Sequence, residues 1–311
     1  VMGKGLFGAV TGLCAMPVSL WQCLGILRTR RADLVIGVGG YTSPMMILAA
    51  ALAGVTRVIL EPNANPGMAN KAVGPFAQRV FLAFESAADS FNRFKVHVVG
   101  TPIRKAFLDG VQQNRKKSGP PHLLIFGGSQ GAKAINAAVM EGLSELMAQL
   151  PHFTVTHQTG ESDHARVAEA YHRAGVESQV MPFLYDMPAA LRQADLVVAR
   201  AGAMTVAELT ACGKPAILIP LPSAIYDHQT RNARVMEAAG AAVLLPQSVL
   251  TGTLLARTVA GILGDPERLR AMGEASLSLR RIDAAEVIVR ECYALMEGHH
   301  DVNRSVGAAG S

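Results

Sequence analysis

The chain has 311 residues, 50% of them hydrophobic and 17% charged, which supplies a large core and length for two ordinary domains and excludes a disordered chain. Its formal charge of +5 and sequence pI near 9.2 suit an anionic partner without choosing among nucleotide, phospholipid and nucleic acid. Aromatic residues make up 5% and no basic run is interleaved with stacking rings, so nothing favours nucleic acid as that partner.

In chain order, residues 4–31 read as a long helical stretch in which Leu6, Phe7, Leu13, Met16, Leu20, Trp21 and Leu24 are flanked by Lys4, Arg28, Arg30 and Arg31. Apolar contact with basic flanks suits an anionic membrane surface, and the same periodicity suits ordinary core helices. The chain begins at Val1 and its first strand follows only after this stretch, so an amino-terminal piece is expected to precede it. No apolar run is long enough to span a bilayer and no cleavable signal opens the chain.

Strand-like runs at 34–38, 57–60, 79–82 and 96–99 alternate with helical stretches, the pattern of parallel βαβ units. A polar, basic break at 112–121 closes a first domain, 1–111, whose four strands are fewer than a whole Rossmann-like domain carries and which is therefore expected to be truncated. Six further runs, at 123–126, 154–158, 180–182, 196–199, 216–219 and 242–244, predict a complete doubly wound domain over 122–283. A final helix is expected over 284–297, with room to pack back on the first domain, followed by a disordered tail at 298–311. The four cysteines, Cys14, Cys23, Cys212 and Cys292, form no C-x-x-C pair and have no neighbouring His, which suits a reducing cytosol and no zinc site.

Segments 35–43 and 124–132 echo one another, each placing glycines where a strand turns into a helix. Such a turn lets backbone N–H groups approach a phosphate and adds the positive end of the helix dipole; tight packing between strand and helix favours the same glycines. Two such loops suggest two domains sharing one cleft. The first loop, with Glu61 about twenty residues on, approximates a dinucleotide fingerprint, but Thr42 stands where the last glycine belongs. The second, Gly127-Gly128-Ser129-Gln130-Gly131, has the G-x-S-x-G form of a hydrolase nucleophile elbow, and Asp195 or Asp227 followed by His228 keeps the order of a triad.

The most informative stretch is 197–208, where a strand empties into small residues that begin a helix. Ala203, Met204 and Thr205 form its first turn, whose N–H groups can take a pyrophosphate, and Glu208 lies one turn on, where its carboxylate could accept two ribose hydroxyls. Glu208 could equally be a carboxylate balancing the dipole near a helix start. Further on, Asp227-His228-Gln229 forms a polar cluster; Gln229 can donate and accept, as a sugar hydroxyl requires, and Asp227 could simply cap the helix that includes 232–239.

Taken together, these residues resemble the MurG family, the transferases that add N-acetylglucosamine to undecaprenyl-pyrophosphoryl-muramyl-pentapeptide in bacterial cell-wall synthesis. The resemblance spans about residues 4–296 and rests on Gly39-Gly40-Tyr41-Thr42-Ser43, Glu61-Pro62-Asn63, Asn70-Lys71, Gly100-Thr101-Pro102-Ile103-Arg104, the loop at 127–132, the run from Arg200 to Glu208, His228-Gln229 and Asn232-Ala233. It implies two Rossmann-like domains in the GT-B arrangement and an inverting transfer that needs no metal or other cofactor. UDP-N-acetylglucosamine would lie mainly on the second domain, with uracil near Phe183 and Leu184 and ribose on Glu208. Arg104, Ser129, Arg200 and the turn of Ala203, Met204 and Thr205 would surround the diphosphate. Gln229 would hold the transferred sugar, Asn63 would reach it from the first domain, and Gly39, Gly40, Tyr41, Thr42 and Ser43 would form the acceptor-side loop. The family also implies a peripheral enzyme on the cytoplasmic face of the inner membrane, working on a lipid-linked muramyl-pentapeptide.

One departure stands out: nothing in the chain matches the family's first glycine-rich loop, which carries a His often considered as the base. The catalytic residue is therefore unassigned and expected in a preceding piece. A chain without that piece is expected to bind donor with little turnover, so a non-catalytic UDP-sugar-binding fragment is the first alternative and a Ser129 hydrolase the second.

Overall fold

The structure, a computed structural model, describes residues 5–40, 42–109, 119–128, 130–222 and 227–308. The chain separates into two compact units, 1–101 with 283–311, and 102–282.

In the first unit the order is α1 (Gly5–Arg30), β1 (Leu34–Gly37), α2 (Ser43–Leu52), β2 (Thr56–Glu61), α3 (Met68–Val73), β3 (Arg79–Leu82) and β4 (Val96–Val98). The strands pair in parallel in the sequential order β1-β2-β3-β4. Leu27 of α1, Ile47 and Ala50 of α2 and Val73 of α3 bury against Val35, Ile59 and Val80 on one face of the sheet. Val58 and Phe81 on the other face meet Ile288 and Cys292 of the last helix, α11 (Ala284–Ala308). Both faces being covered, the inner strands read as apolar runs and not as alternation. The helix continues over 298–308, where a disordered tail was expected: no proline interrupts it, and its two glycines, Gly298 and Gly307, each cost a helix only about 1 kcal/mol. Residues 309–311 lie outside the described residues.

The second unit runs β5 (His122–Phe126), α4 (Lys133–Gln149), β6 (Thr154–Gln158), α5 (His164–Ala174), β7 (Glu177–Met181), α6 (Met187–Gln193), β8 (Leu196–Ala199), α7 (Ala203–Cys212), β9 (Ala216–Leu218), α8 (His228–Ala238), β10 (Ala242–Leu244), α9 (Gly252–Leu263) and α10 (Pro266–Ser278). Its six parallel strands stand in the order β10-β9-β8-β5-β6-β7. The chain therefore enters at the middle, builds outward to β7, then returns to build the other half from β8. Strand β7 begins three residues before the expected 180, because Glu177, Ser178 and Gln179 lie on a sheet edge and carry no apolar signal. Helices α4 and α9 meet at Gly142 and Gly252, where a Cβ on Gly142 would lie 2.2 Å from the Gly252 carbonyl oxygen.

The units divide at Thr101 and Pro102, ahead of the basic break at 112–121 that the composition suggests, and residues 110–118 lie outside the described residues. Segment 102–109 groups with the second unit, where the Cys212 thiol donates to the Phe107 carbonyl at 3.3 Å; within the segment the Arg104 guanidinium stacks 5.1 Å from the Phe107 ring centre. From Asp283 onward the chain groups with the first unit.

Candidate functional site

The reversal of strand order between β5 and β8 is a topological switch point, and open α/β sheets bind ligands outside the carboxyl ends of the strands there. Phe126 and Ala199, the last residues of those strands, are register partners, so the loops that follow start side by side. Each loop runs into a helix, α4 or α7, that receives no side-chain cap among the described residues. Gly202 precedes α7 in extended backbone and no acid occupies the first turn, leaving the N–H groups of Ala203, Met204 and Thr205 without helical acceptors. The fully buried Asn232 of α8 braces the turn, donating from Nδ2 to the Ala201 carbonyl at 3.2 Å.

The loop after β5 needs its glycines for two different reasons. Gly128 has φ +90°, which L side chains rarely adopt, although nothing crowds its Cβ position. Gly131 presses its backbone on the turn after β6: a Cβ there would lie 1.9 Å from the Thr159 carbonyl oxygen. Ser129 itself lies outside the described residues.

Glu208 projects from the second turn of α7. Burial pushes its carboxyl up to about 7, and Arg104 partly opposes the shift. Met204 is half-exposed, and the partly exposed Phe183 ring meets Tyr185 edge to face at 4.9 Å between centroids. Arg200 is more deeply engaged than the expected diphosphate contact implies. Its Nη1 donates to the carbonyls of Ile219 and Pro220 at 3.0 and 3.1 Å, and its Nη2 to Gln247 Oε1 at 2.7 Å. It ties together the exits of β8, β9 and β10. The Gln229 side-chain oxygen accepts from the Leu221 N–H at 2.9 Å, which orients the carboxamide. Asp227 does occupy the position before α8, but with φ +56° and no side-chain capping bond, so it does not cap as a helix-starting acid would.

In the first unit Glu61 is only 2% exposed and is wholly occupied with its own loop. One oxygen accepts from the Asn63 N–H and Nδ2, the other from the Gly67 N–H and Asn70 Nδ2, at 2.9 to 3.1 Å. Asn63 is thereby turned toward Glu61, and Glu61 cannot serve a ribose, which removes the dinucleotide reading. Asn70 lies under Gly39, and its buried Oδ1 has no hydrogen-bond partner among the described residues. Ser43 opens α2 and its Oγ accepts from the Gly39 N–H at 3.2 Å; Gly39 and Gly40 both have positive φ, and Thr42 precedes α2 without capping it. Tyr41 lies outside the described residues. The hydrolase reading loses one acid: Asp195 accepts from the His122 N–H at the opening of β5, the end of the sheet opposite the glycine loop. The bracing roles of Asn232 and Asn70 escape the sequence, where only their place in short motifs is visible.

Comparison with known proteins agrees with this geometry. Residues 122–288 match the family model of the glycosyltransferase family 28 C-terminal domain, and residues 2–82 match that of the N-terminal domain. The chain is 44% identical over 296 residues to the UDP-N-acetylglucosamine--N-acetylmuramyl-(pentapeptide) pyrophosphoryl-undecaprenol N-acetylglucosamine transferase of Syntrophus aciditrophicus, covering 95% of this chain and 82% of that protein. The enzyme of the same name from Syntrophotalea carbinolica is also 44% identical, over 94% of this chain and 81% of its own length. Among solved structures, MurG of Acinetobacter baumannii superposes with a TM-score of 0.76 at 30% identity, covering 88% of this chain and 78% of that one. The UDP-GlcNAc 2-epimerase of Neisseria meningitidis, at 15% identity, 88% and 80% coverage and a TM-score of 0.63, shares the fold alone. The chain has the two-domain GT-B architecture, and it belongs to glycosyltransferase family 28 and, within it, to the MurG family of N-acetylglucosaminyltransferases.

Proposed function

We propose that this chain transfers N-acetylglucosamine, with inversion, from UDP-N-acetylglucosamine to the C4 hydroxyl of an undecaprenyl-pyrophosphoryl-N-acetylmuramyl-pentapeptide, a step of peptidoglycan synthesis. The observation that carries it is the pairing of Phe126 with Ala199, which sets two glycine-flanked turns and two helix starts next to each other at the switch point. In this reading the donor diphosphate lies against the N–H groups of Ala203, Met204 and Thr205 and the loop containing Ser129, with Arg104 close by. The ribose hydroxyls donate to Glu208, uracil packs by Phe183 and Leu184, and the Gln229 carboxamide meets the sugar. Arg200 acts from behind by holding the strand exits. The loop from Gly39 to Ser43 faces the acceptor.

Transfer forms the bond from the acceptor O4 to the anomeric carbon as the bond from that carbon to the β-phosphate oxygen breaks. The hydroxyl proton passes to a general base, and the charge gathering on UDP is met by the N–H groups at the start of α7. Peripheral attachment to the cytoplasmic face of an anionic membrane fits α1, where Val18, Trp21 and Ile26 are exposed, Trp21 at 75%, beside Arg28, Arg30 and Arg31. No described helix is long and apolar enough to cross a membrane.

Calorimetry with UDP-N-acetylglucosamine and UDP-glucose tests the donor assignment. Glu208→Ala should abolish measurable binding of both, and Gln229→Ala should retain UDP binding but lose the preference between sugars. Unchanged affinity in Glu208→Ala would remove the nucleoside from α7.

A further inference from the structure

Behind the loop at 127–131 runs a buried polar chain that none of the proposed ligand contacts uses. His157 of β6 is fully buried between Tyr171 of α5 and Asn136 of α4. Its Nδ1 lies 3.1 Å from the Tyr171 hydroxyl and its Nε2 3.1 Å from Asn136 Oδ1. Asn136 Nδ2 in turn donates to the Thr159 carbonyl and to Asp163 Oδ2, both at 2.9 Å. Because both of those partners are acceptors, the carboxamide can be oriented only one way round. Its oxygen then faces His157, so Nε2 carries the ring proton and Nδ1 accepts from Tyr171. Every bond in the chain points in one direction, from Tyr171 to Thr159.

The far end of this chain is the atom on which the glycine loop rests. A Cβ on Gly131 would lie 1.9 Å from the Thr159 oxygen, and a Cβ on Gly160 would lie 2.3 Å from the Gln130 oxygen, so the two turns pack backbone to backbone. The height of the Thr159 carbonyl therefore sets the height of the loop. Burial, partly opposed by Asp163, lowers the pKa of the His157 ring to about 3, which keeps it neutral and the donor pattern constant through the physiological range.

We infer that His157 is a positioning residue for the donor diphosphate, acting through Asn136 and the Thr159 carbonyl to hold the backbone of Gln130 and Gly131 in its phosphate-binding position. The inference rests on the reading that this loop binds the diphosphate. Leucine at 157 would fill much of the ring's volume while leaving Asn136 Oδ1 and the Tyr171 hydroxyl buried without partners, freeing the carboxamide that anchors the turn.

The test compares UDP with uridine, which lacks the phosphates, by calorimetry and competition on the full chain. His157→Leu should weaken UDP about tenfold and leave uridine unchanged, and His157→Gln, which can both donate to Asn136 and accept from Tyr171, should recover most of the loss. Wild-type UDP affinity in a folded His157→Leu protein, or equal loss of UDP and uridine, overturns the inference. If His157→Leu does not fold, Tyr171→Phe decides by the same ratio: a selective loss of UDP supports the inference and a proportionate loss overturns it. Gly128→Ala separates the underlying reading, since it alters the loop directly. If Gly128→Ala leaves UDP affinity unchanged, the loop does not bind the diphosphate; if it weakens UDP while His157→Leu does not, the loop reading stands and the positioning role fails.

Discussion

The side chain of Asn232 and the carbonyl of Ala201 are 31 residues apart in sequence and joined by a buried hydrogen bond of 3.2 Å. That bond fixes the turn from which α7 starts. Asn232→Ala leaves the carbonyl without this donor and opens a small cavity, so it should lower stability by about 1–3 kcal/mol, read as a shift of the urea midpoint at unchanged slope. Because the turn carries the N–H groups of Ala203 to Thr205, UDP affinity should fall as well, and a destabilised variant with undiminished affinity would separate the brace from the site.

With the ribose on Glu208 as proposed, nucleotide binding should depend on pH. Only the carboxylate accepts two hydroxyls, and burial pushes its pKa up to about 7. Affinity for UDP should be level above that value and fall about tenfold per unit below it, whereas Glu208→Gln should bind weakly with no such slope. Stability follows the opposite sense. With the folded value above the ordinary 4.5, folding disfavours the charged form; the penalty is absent below about pH 4.5, grows between there and 7, and is complete above. Glu208→Gln should accordingly be more stable than the parent at pH 8 and equal to it near pH 4, as thermal melts at the two pH values will show.

The two loop glycines should respond differently to alanine. Gly128→Ala meets no neighbour and only a positive φ, a cost of about 1 kcal/mol, so it should fold with a slightly lowered Tm. At Gly131 the added carbon would lie 1.9 Å from a backbone oxygen, and the turn must move. Gly131→Ala should lose several times more stability than Gly128→Ala, and near-equal melts would show that the two turns are not packed together.

Glu61→Gln probes the first unit. The carboxylate accepts four hydrogen bonds, and a carboxamide would point its NH2 at donors, so stability should drop by about 2–4 kcal/mol. The loss should be confined to the first unit: faster amide exchange at 61–70 with UDP affinity preserved is the expected hydrogen-exchange result. Loss of UDP binding in a folded Glu61→Gln protein would contradict it.

Much of this protein is legible in the sequence. The ten described strands all lie on or beside apolar runs, because helices cover the sheet faces and burial leaves a continuous signal; β7 shows the limit, since its first half is polar at an edge. The start of α7 at Ala203 and the positive-φ glycines are local facts, fixed by backbone sterics within a few residues. Tertiary structure alone decides which strand ends are neighbours, and so that Phe126 meets Ala199. It alone turns Arg200 onto the carbonyls of Ile219 and Pro220, commits Glu61 to Asn63, Gly67 and Asn70, and threads His157 between Tyr171 and Asn136. Those pairings join polar groups across distant stretches of chain, and a hydrogen bond between remote residues leaves no period, run or spacing in the sequence from which it could be read.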